Sequence, residues 1–156
     1  NYFGEQTSFL ANFIYQDDFG ADEDQFLKAG VSLVYDDFAE RFEYDDYNRT
    51  EIVPGAYFEY TYDPSVWFGL VAGIRGDYHN LYGFFYSPRL HMRVKLSELS
   101  AFKVAIGKGQ RTPNIFAENI GYFVSARQWV VEGEANDPGY GLQPEQAWNF
   151  GLKYLM

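Results

Sequence analysis

The chain has 156 residues, a formal net charge of −10 and a sequence pI near 4.5. That charge opposes nonspecific nucleic-acid binding, which needs a cationic surface. The absence of cysteine excludes disulfides and thiolate metal sites, and no run approaches the ~20 apolar residues of a membrane helix. Aromatic residues make up 21%, with 14 Tyr, 15 Phe and 3 Trp; Tyr collects where apolar and wet regions meet. The chain opens at Asn1 without an initiator Met and stops at Met156 inside an alternating run, so it reads as a piece of a longer protein.

Aromatic and β-branched residues in period 2, separated by turn residues, predict strands near 7–16, 26–37, 51–62, 66–78, 84–97, 101–110 and 144–156. The connectors are 17–24, 38–50, 63–65, 79–83, 98–100 and a long one, 111–143, whose "NIFAENI" carries a weak helical signal. There is no low-complexity linker and no domain boundary, which predicts a single all-β antiparallel meander over 1–156.

The alternation keeps its phase across the turns. From Ile52 to Tyr154 the even positions are oily, as in Phe58, Ile74, Leu90, Ile106 and Phe150, and the odd positions are charged or small. In the first two strands the phase inverts: Phe9, Ala11, Phe13 and Tyr15, then Val31, Leu33 and Tyr35, form the oily set. Opposed residues of an antiparallel pair share a face, so constant parity across a turn implies one continuous two-faced sheet. Tyr62 is expected opposite Val66, and Tyr78 opposite Phe84.

A soluble sheet with one solvated face would alternate too, and a soluble binding module presenting an aromatic face to a partner is the alternative reading. Three features favour a membrane. The strands approach or exceed the ~9–11 residues of a transmembrane β-strand. Tyr60, Tyr62, Tyr78, Tyr86, Trp148 and Tyr154 sit near the strand ends of the oily face, as in an aromatic girdle. Short and long connectors alternate, as in outer-membrane barrels. The oily face then meets lipid, and Glu59, Arg75, Asp77, Arg89, His91, Arg93 and Lys95, with Lys103, face a wet or protein-filled lumen. Lone charges facing a partly dry lumen are costly, whereas opposite charges within reach compensate each other, so Glu59, Arg75, Asp77, Arg89 and Arg93 are expected to form a charged network on the inner wall. Because open strand edges do not persist in lipid, these strands form only part of a barrel.

The segments "GIRGDYHNLYGFFYSPRLHMRV" (73–94), "AIGKGQRTPNIFAENIGYFVSAR" (105–127) and "PEQAWNFGLKY" (144–154) resemble the barrel of TonB-dependent outer-membrane receptors. The likeness is to Bacteroidetes-type receptors related to siderophore and vitamin B12 transporters. It covers roughly 51–156 and places the chain in the C-terminal part of the barrel. The resemblance implies a large barrel of ~22 strands in the outer membrane of a Gram-negative bacterium, importing a metal chelate, corrinoid or similar nutrient. It also implies a plug domain and contact with TonB, both in parts of the protein outside this chain. No cofactor is implied.

No catalytic constellation is present, and a hydrolytic outer-membrane enzyme lacks a Ser/His/Asp set that could share one face. Gly107, Lys108 and Gly109 lie in a strand outside any phosphate-loop frame. His79 and His91 lack a third ligand at useful spacing, and satisfied polar roles outweigh a metal. Asp36, Asp37, Asp45 and Asp46 are oxygen donors that could hold Ca²⁺, against a solvated acidic loop. The long connector is the expected ligand-contacting segment, since loops of this length are often functional. Its candidates are Arg111, Asn114, Glu118, Asn119, Tyr122, Arg127, Gln128 and Trp129.

Overall fold

The computed structural model describes residues 2–20, 24–119, 121 and 140–156. The strands are β1 (Tyr2–Phe19), β2 (Gln25–Phe42), β3 (Asp45–Asp46), β4 (Arg49–Ser65), β5 (Phe68–His79), β6 (Gly83–Ser97), β7 (Ser100–Arg111) and β8 (Glu145–Leu155). One short helix, α1 (Ile115–Asn119), falls at the helical signal in the long connector. All strands join a single antiparallel sheet in the order β1-β2-β4-β5-β6-β7-β8, with β3 folded back on β2.

The register confirms the two faces. Phe13 opposes Val31, Val31 opposes Ala56, Phe58 opposes Ile74, Ile74 opposes Pro88, Leu90 opposes Ile106, and Ile106 opposes Phe150. The inverted phase of β1 and β2 is therefore correct, because odd β2 residues pair with even β4 residues. Tyr78 opposes Phe84 as expected. Tyr62, however, opposes Leu70 and not Val66, because β4 runs on to Ser65 and the register shifts between Tyr62 and Ser65. The displacement is an even number of residues, so both faces survive it.

Exposure follows the same alternation. Along β2 and β4 the oily residues Val31, Leu33, Tyr35, Ile52 and Phe58 are exposed, whereas their polar-face neighbours shield one another. Crowding on one face and openness on the other is the signature of a curved wall with the oily face outward.

Several strands are longer than the sequence pattern suggested. The oily alternation of β2 stops at Tyr35, but the backbone ladder continues to Phe42 and absorbs much of the expected 38–50 connector. In this extension Asp37 opposes Thr7 on one side and Thr50 on the other, so the outward face turns polar. The hairpin projects past the apolar band. Phe19, Ser65 and Ser97 end their strands at one rim, and Phe42, His79 and Arg111 end theirs at the other. The two tightest turns, 66–67 and 98–99, thus lie at one end and the longest connection, between Arg111 and Glu145, starts and finishes at the other, which also carries the short turn 80–82.

Aromatic residues mark both borders of the oily face. At the short-turn border Phe19, Tyr60, Tyr62 and Phe68 follow one another with ring centroids 6.2–6.5 Å apart, and Phe102 lies 4.9 Å from Tyr154. Toward the long-loop border stand Tyr78, Phe84, Tyr86 and Trp148. Eight residues separate the Leu70 level from Tyr78, ~26 Å of strand, comparable with an apolar band of ~25 Å once tilt is allowed for. Two charged residues stand on the oily face near its borders: Asp17, which accepts a 3.0 Å hydrogen bond from the Tyr15 hydroxyl, and Lys108, whose Nζ lies 3.8 Å from the Tyr86 ring centroid, a cation–π contact that accommodates its charge.

Candidate functional site

The only cluster of buried apolar side chains among the described residues sits at the long-loop rim. Phe116 of α1, Tyr47 and Tyr140 form it, with Tyr2, Phe42 and Ile115 packed around them. Phe116 is 1% exposed and lies 5.0–5.6 Å from the rings of Tyr47, Tyr140 and Tyr2. Two points of the long connector, Phe116 and Tyr140, are thereby fixed against the tip of the β2–β4 hairpin. Tyr140 takes a left-handed backbone, φ 54°, costly for a bulky residue and held here by its contacts.

Beneath this aromatic cap lies a buried polar cluster on the inward face. Arg49 pairs with Glu40 and, through Nε at 2.8 Å, with Glu51 Oε1. His79 Nε2 stands 3.3 Å from Glu51 Oε2. The Tyr2 hydroxyl donates to Glu40 Oε1 and the Tyr140 hydroxyl to Glu40 Oε2, each at 3.0 Å. Arg49 also donates to the Tyr140 oxygen at 2.5 Å and covers the Phe38 ring at 3.8 Å. Glu40 is thus saturated by three donors, as a buried carboxylate must be. Burial pushes the Tyr140 hydroxyl well above the ordinary tyrosine range; Arg49 opposes this and Glu40 reinforces it. Neither the aromatic cap nor Glu40, Arg49 and Glu51 stands out in the sequence, because their partners are distant along the chain. The one local clue is that Arg49 and Glu51, two apart in a strand, must share a face.

A hollow of about 560 Å³ opens below the cluster, lined by Asp36, Glu51, Arg75, Asp77, His79, Phe85 and Arg111, among others. Arg75 holds Asp77 through two contacts of 2.6 and 2.8 Å and donates to Ser32 at 2.7 Å. Arg111 reaches Glu145 at 3.1 Å and Glu118 at 3.4 Å. Asn114 and Asn119 serve α1 itself: the Asn114 N–H donates to Glu118, and Asn119 Nδ2 donates to the Ile115 carbonyl. Tyr122, Arg127, Gln128 and Trp129 lie outside the described residues.

The expected charged residues all stand on the inward face, where opposite charges meet in pairs. Arg89 pairs with Glu59, Arg75 with Asp77, and Arg93 with Asp63 at 3.3 Å. These are separate pairs because Gly73 intervenes between Glu59 and Arg89 and Gly69 lies beside Arg93, leaving each arginine room to reach one acid. His91 and Lys95 flank Arg93 along β6, toward the short-turn rim. His79 and His91 lie at different levels of the wall. The proposed Ca²⁺ carboxylates do not converge either. Asp36 receives Ser8 and Gln6, Asp37 receives Thr50 on the other face, and Asp46 pairs with Arg41 at 2.6 Å. Adjacent strand residues point to opposite faces, so Asp36 and Asp37 cannot share an ion. No group of three or more potential His or carboxylate ligands occurs among the described residues.

A curved antiparallel wall and an outward oily face bordered by aromatics, with the tightest turns at one end and the longest connector at the other, describe a piece of a transmembrane barrel. Residues 1–156 match the family "TonB dependent receptor-like, beta-barrel". The chain belongs to that family. Two solved structures share the fold: the siderophore receptor PirA from Acinetobacter baumannii, with a TM-score of 0.74, and that from Pseudomonas aeruginosa, with 0.76. Each is 17% identical over 97% of this chain, which spans 25% and 29% of those receptors. No curated protein sequence matches. A TonB-dependent receptor barrel resides in the outer membrane of a Gram-negative bacterium, so the oily face meets lipid and the long-loop rim faces outside. The soluble-module alternative is thereby set aside, since the aromatic face is a lipid face. The family consists of receptors and transporters, not enzymes.

Proposed function

We propose that the chain forms part of the wall of a receptor that actively imports a metal chelate, corrinoid or similar nutrient. In this reading a plug domain fills the lumen and TonB acts through that plug, both supplied by parts of the protein beyond this chain. The observation that carries the reading is the 560 Å³ hollow at the outer rim, where Arg75 and Arg111 stand beside Asp77, Glu51, His79 and Phe85. Its volume suits a drug-sized ligand, and mixed charge with aromatic surface suits a large amphipathic chelate. The long connector would cover this hollow from outside, with Arg111, Asn114, Glu118, Asn119, Tyr122, Arg127 and Trp129 as the contacting residues. The two structural neighbours, both siderophore receptors, favour a ferric chelate over a corrinoid.

The test is uptake by cells carrying the whole receptor or lacking its gene, presented with radiolabelled ferric siderophores and cobalamin. Loss of uptake for one ligand class identifies the cargo, and Arg111→Ala in the whole receptor then raises the concentration needed for half-maximal uptake. Equal uptake of every class with and without the gene would sink the import reading.

A further inference from the structure

We propose that the outward face carries a lipid site at its long-loop border, where Lys108 and Gln110 bind the phosphate and sugar of a phosphorylated glycolipid of the outer leaflet. Lys108 stands on the lipid face, level with Trp148, which opposes it. Arg89 opposes Gly107, so Lys108 starts level with Pro88, yet its Nζ lies over the ring of Tyr86. The side chain therefore leans toward the long-loop rim, as a lysine does when its amine reaches for headgroups from an apolar face. Lys108 is only 9% exposed, and no acid pairs with it among the described residues. Its neighbours on that face, Tyr86, Pro88, Gln110, Gln146 and Trp148, carry no charge. The Tyr86 ring eases the ammonium charge but does not neutralise it, and a buried cation without an anion is costly.

Gln110 stands on the same face, two residues nearer the rim. Its Oε1 is buried and meets no hydrogen-bond donor, a rare condition for a polar atom in a folded chain. An anion for Lys108 and a donor for Gln110, side by side at headgroup level, describe a phosphate joined to a sugar that bears hydroxyl or amide groups. Farther from the rim, Leu90 opposes Ile106 and Ile106 opposes Phe150, an apolar lane for the acyl chains of the same lipid. Missing barrel strands would not cover Lys108. They join at the outer edges of β1 and β8, whereas β7 already has β6 and β8 on its two sides. A plug lies on the inward side, away from this face. The site is independent of which nutrient is imported.

Native mass spectrometry of the whole receptor in nonionic detergent tests this, with lipid A, lipid A stripped of its phosphates, and phosphatidylglycerol as probes. Lipid A should bind tightest, about five-fold or more over the dephosphorylated form, the worth of one cation beside a lipid anion. K108Q should lose that preference and K108R keep it. Q110L should weaken lipid A about three-fold, as for one lost hydrogen bond. K28Q, on the inward face of β2, should change nothing. Melting curves establish which variants fold, and Q110L, which leaves the buried charge in place, decides the matter if K108Q does not. Equal binding of lipid A with and without its phosphates overturns the proposal, as does an unchanged preference in K108Q or unchanged lipid A binding in Q110L. Phosphatidylglycerol bound as tightly as lipid A overturns the glycolipid assignment.

Discussion

The Tyr140 hydroxyl donates a 3.0 Å hydrogen bond to Glu40, joining residues a hundred positions apart. This bond fastens the far end of the long connector to the β2–β4 hairpin, and Arg49 meets both partners. Tyr140→Phe keeps the ring against Phe116 but leaves Glu40 and Arg49 short of one partner. A lost buried hydrogen bond costs ~1–3 kcal/mol, and the effect should be local. Hydrogen exchange in the whole receptor should show faster exchange at 40–49, with the β5–β8 ladder unchanged. Equal protection in wild type and variant would mean that ring packing alone holds the connector.

The same hydroxyl makes the rim sensitive to alkali. Its folded pKa is raised above the ordinary value of 10.0, chiefly by burial. A raised acid favours the protonated form in the folded state, so its contribution is complete below pH ~10 and declines as pH climbs toward the folded value. Exchange at 40–49 should therefore accelerate above pH 10 in wild type beyond the intrinsic base-catalysed rise. Tyr140→Phe should lack that extra component. A parallel pH response in the two proteins would contradict the assignment.

Buried and exposed ion pairs of the wall should respond differently to loss of the arginine. The Arg49 and Glu40 side chains are 2% and 5% exposed, whereas those of Arg89 and Glu59 are 54% and 18% exposed. Removing one partner of a buried pair strands the other charge at a cost of ~3–5 kcal/mol, while an exposed pair contributes ~0–1 kcal/mol. Urea unfolding of the whole receptor in lipid should show Arg49→Met far below Arg89→Met in stability. Comparable losses would show that water reaches Glu40 freely.

The faces were legible in the sequence because parity is local, and one even or odd count fixes a whole strand against its neighbours. Leu90 and Arg89 fall on opposite faces, as the alternation requires. The strand ends were not legible, because hydropathy reports lipid contact and not hydrogen bonding. β2 outruns its oily pattern from Asp36 to Phe42 for that reason. The rim cluster was hidden for a different reason: Glu40, Arg49, His79 and Tyr140 meet only after three strands are registered and the long connector folds back onto them. A shared face does not fix reach: side-chain length and intervening glycines decide which acid each arginine finds.

That face assignment gives an asymmetric substitution test. Leu90 lies midway between the aromatic borders on the lipid side, where an introduced Arg costs ~2–4 kcal/mol at the bilayer midplane. Arg89→Leu, one residue away, loses only a half-exposed pair. Folding of the whole receptor into lipid vesicles, followed in urea, should therefore tolerate Arg89→Leu and penalise Leu90→Arg. Equal tolerance of both would contradict the assignment of the oily face to lipid.

The chain made by itself should not persist as a dispersed monomer in plain buffer. Its oily face exposes Phe13, Phe58, Ile74, Phe84, Phe150 and Leu152, among others, with Phe150 and Leu152 at 74% and 75% exposure. Each large apolar side chain left wet forfeits ~1.5–3 kcal/mol. Over the whole face this sums to something on the order of tens of kcal/mol, above the ~5–15 kcal/mol net stability of a domain. The outer edges of β1 and β8 have no strand partner among the described residues, and open edges recruit other chains. Detergent, the missing barrel strands or self-association must cover both. Two sheets stacked oily side to oily side are the simplest associated form. Sedimentation at micromolar concentration without detergent should show large or polydisperse species, shifting to a discrete protein–detergent complex when micelles are added. A folded monomer sedimenting alone in buffer would mean that the oily face covers a private core, and the barrel-wall account of that face would fall.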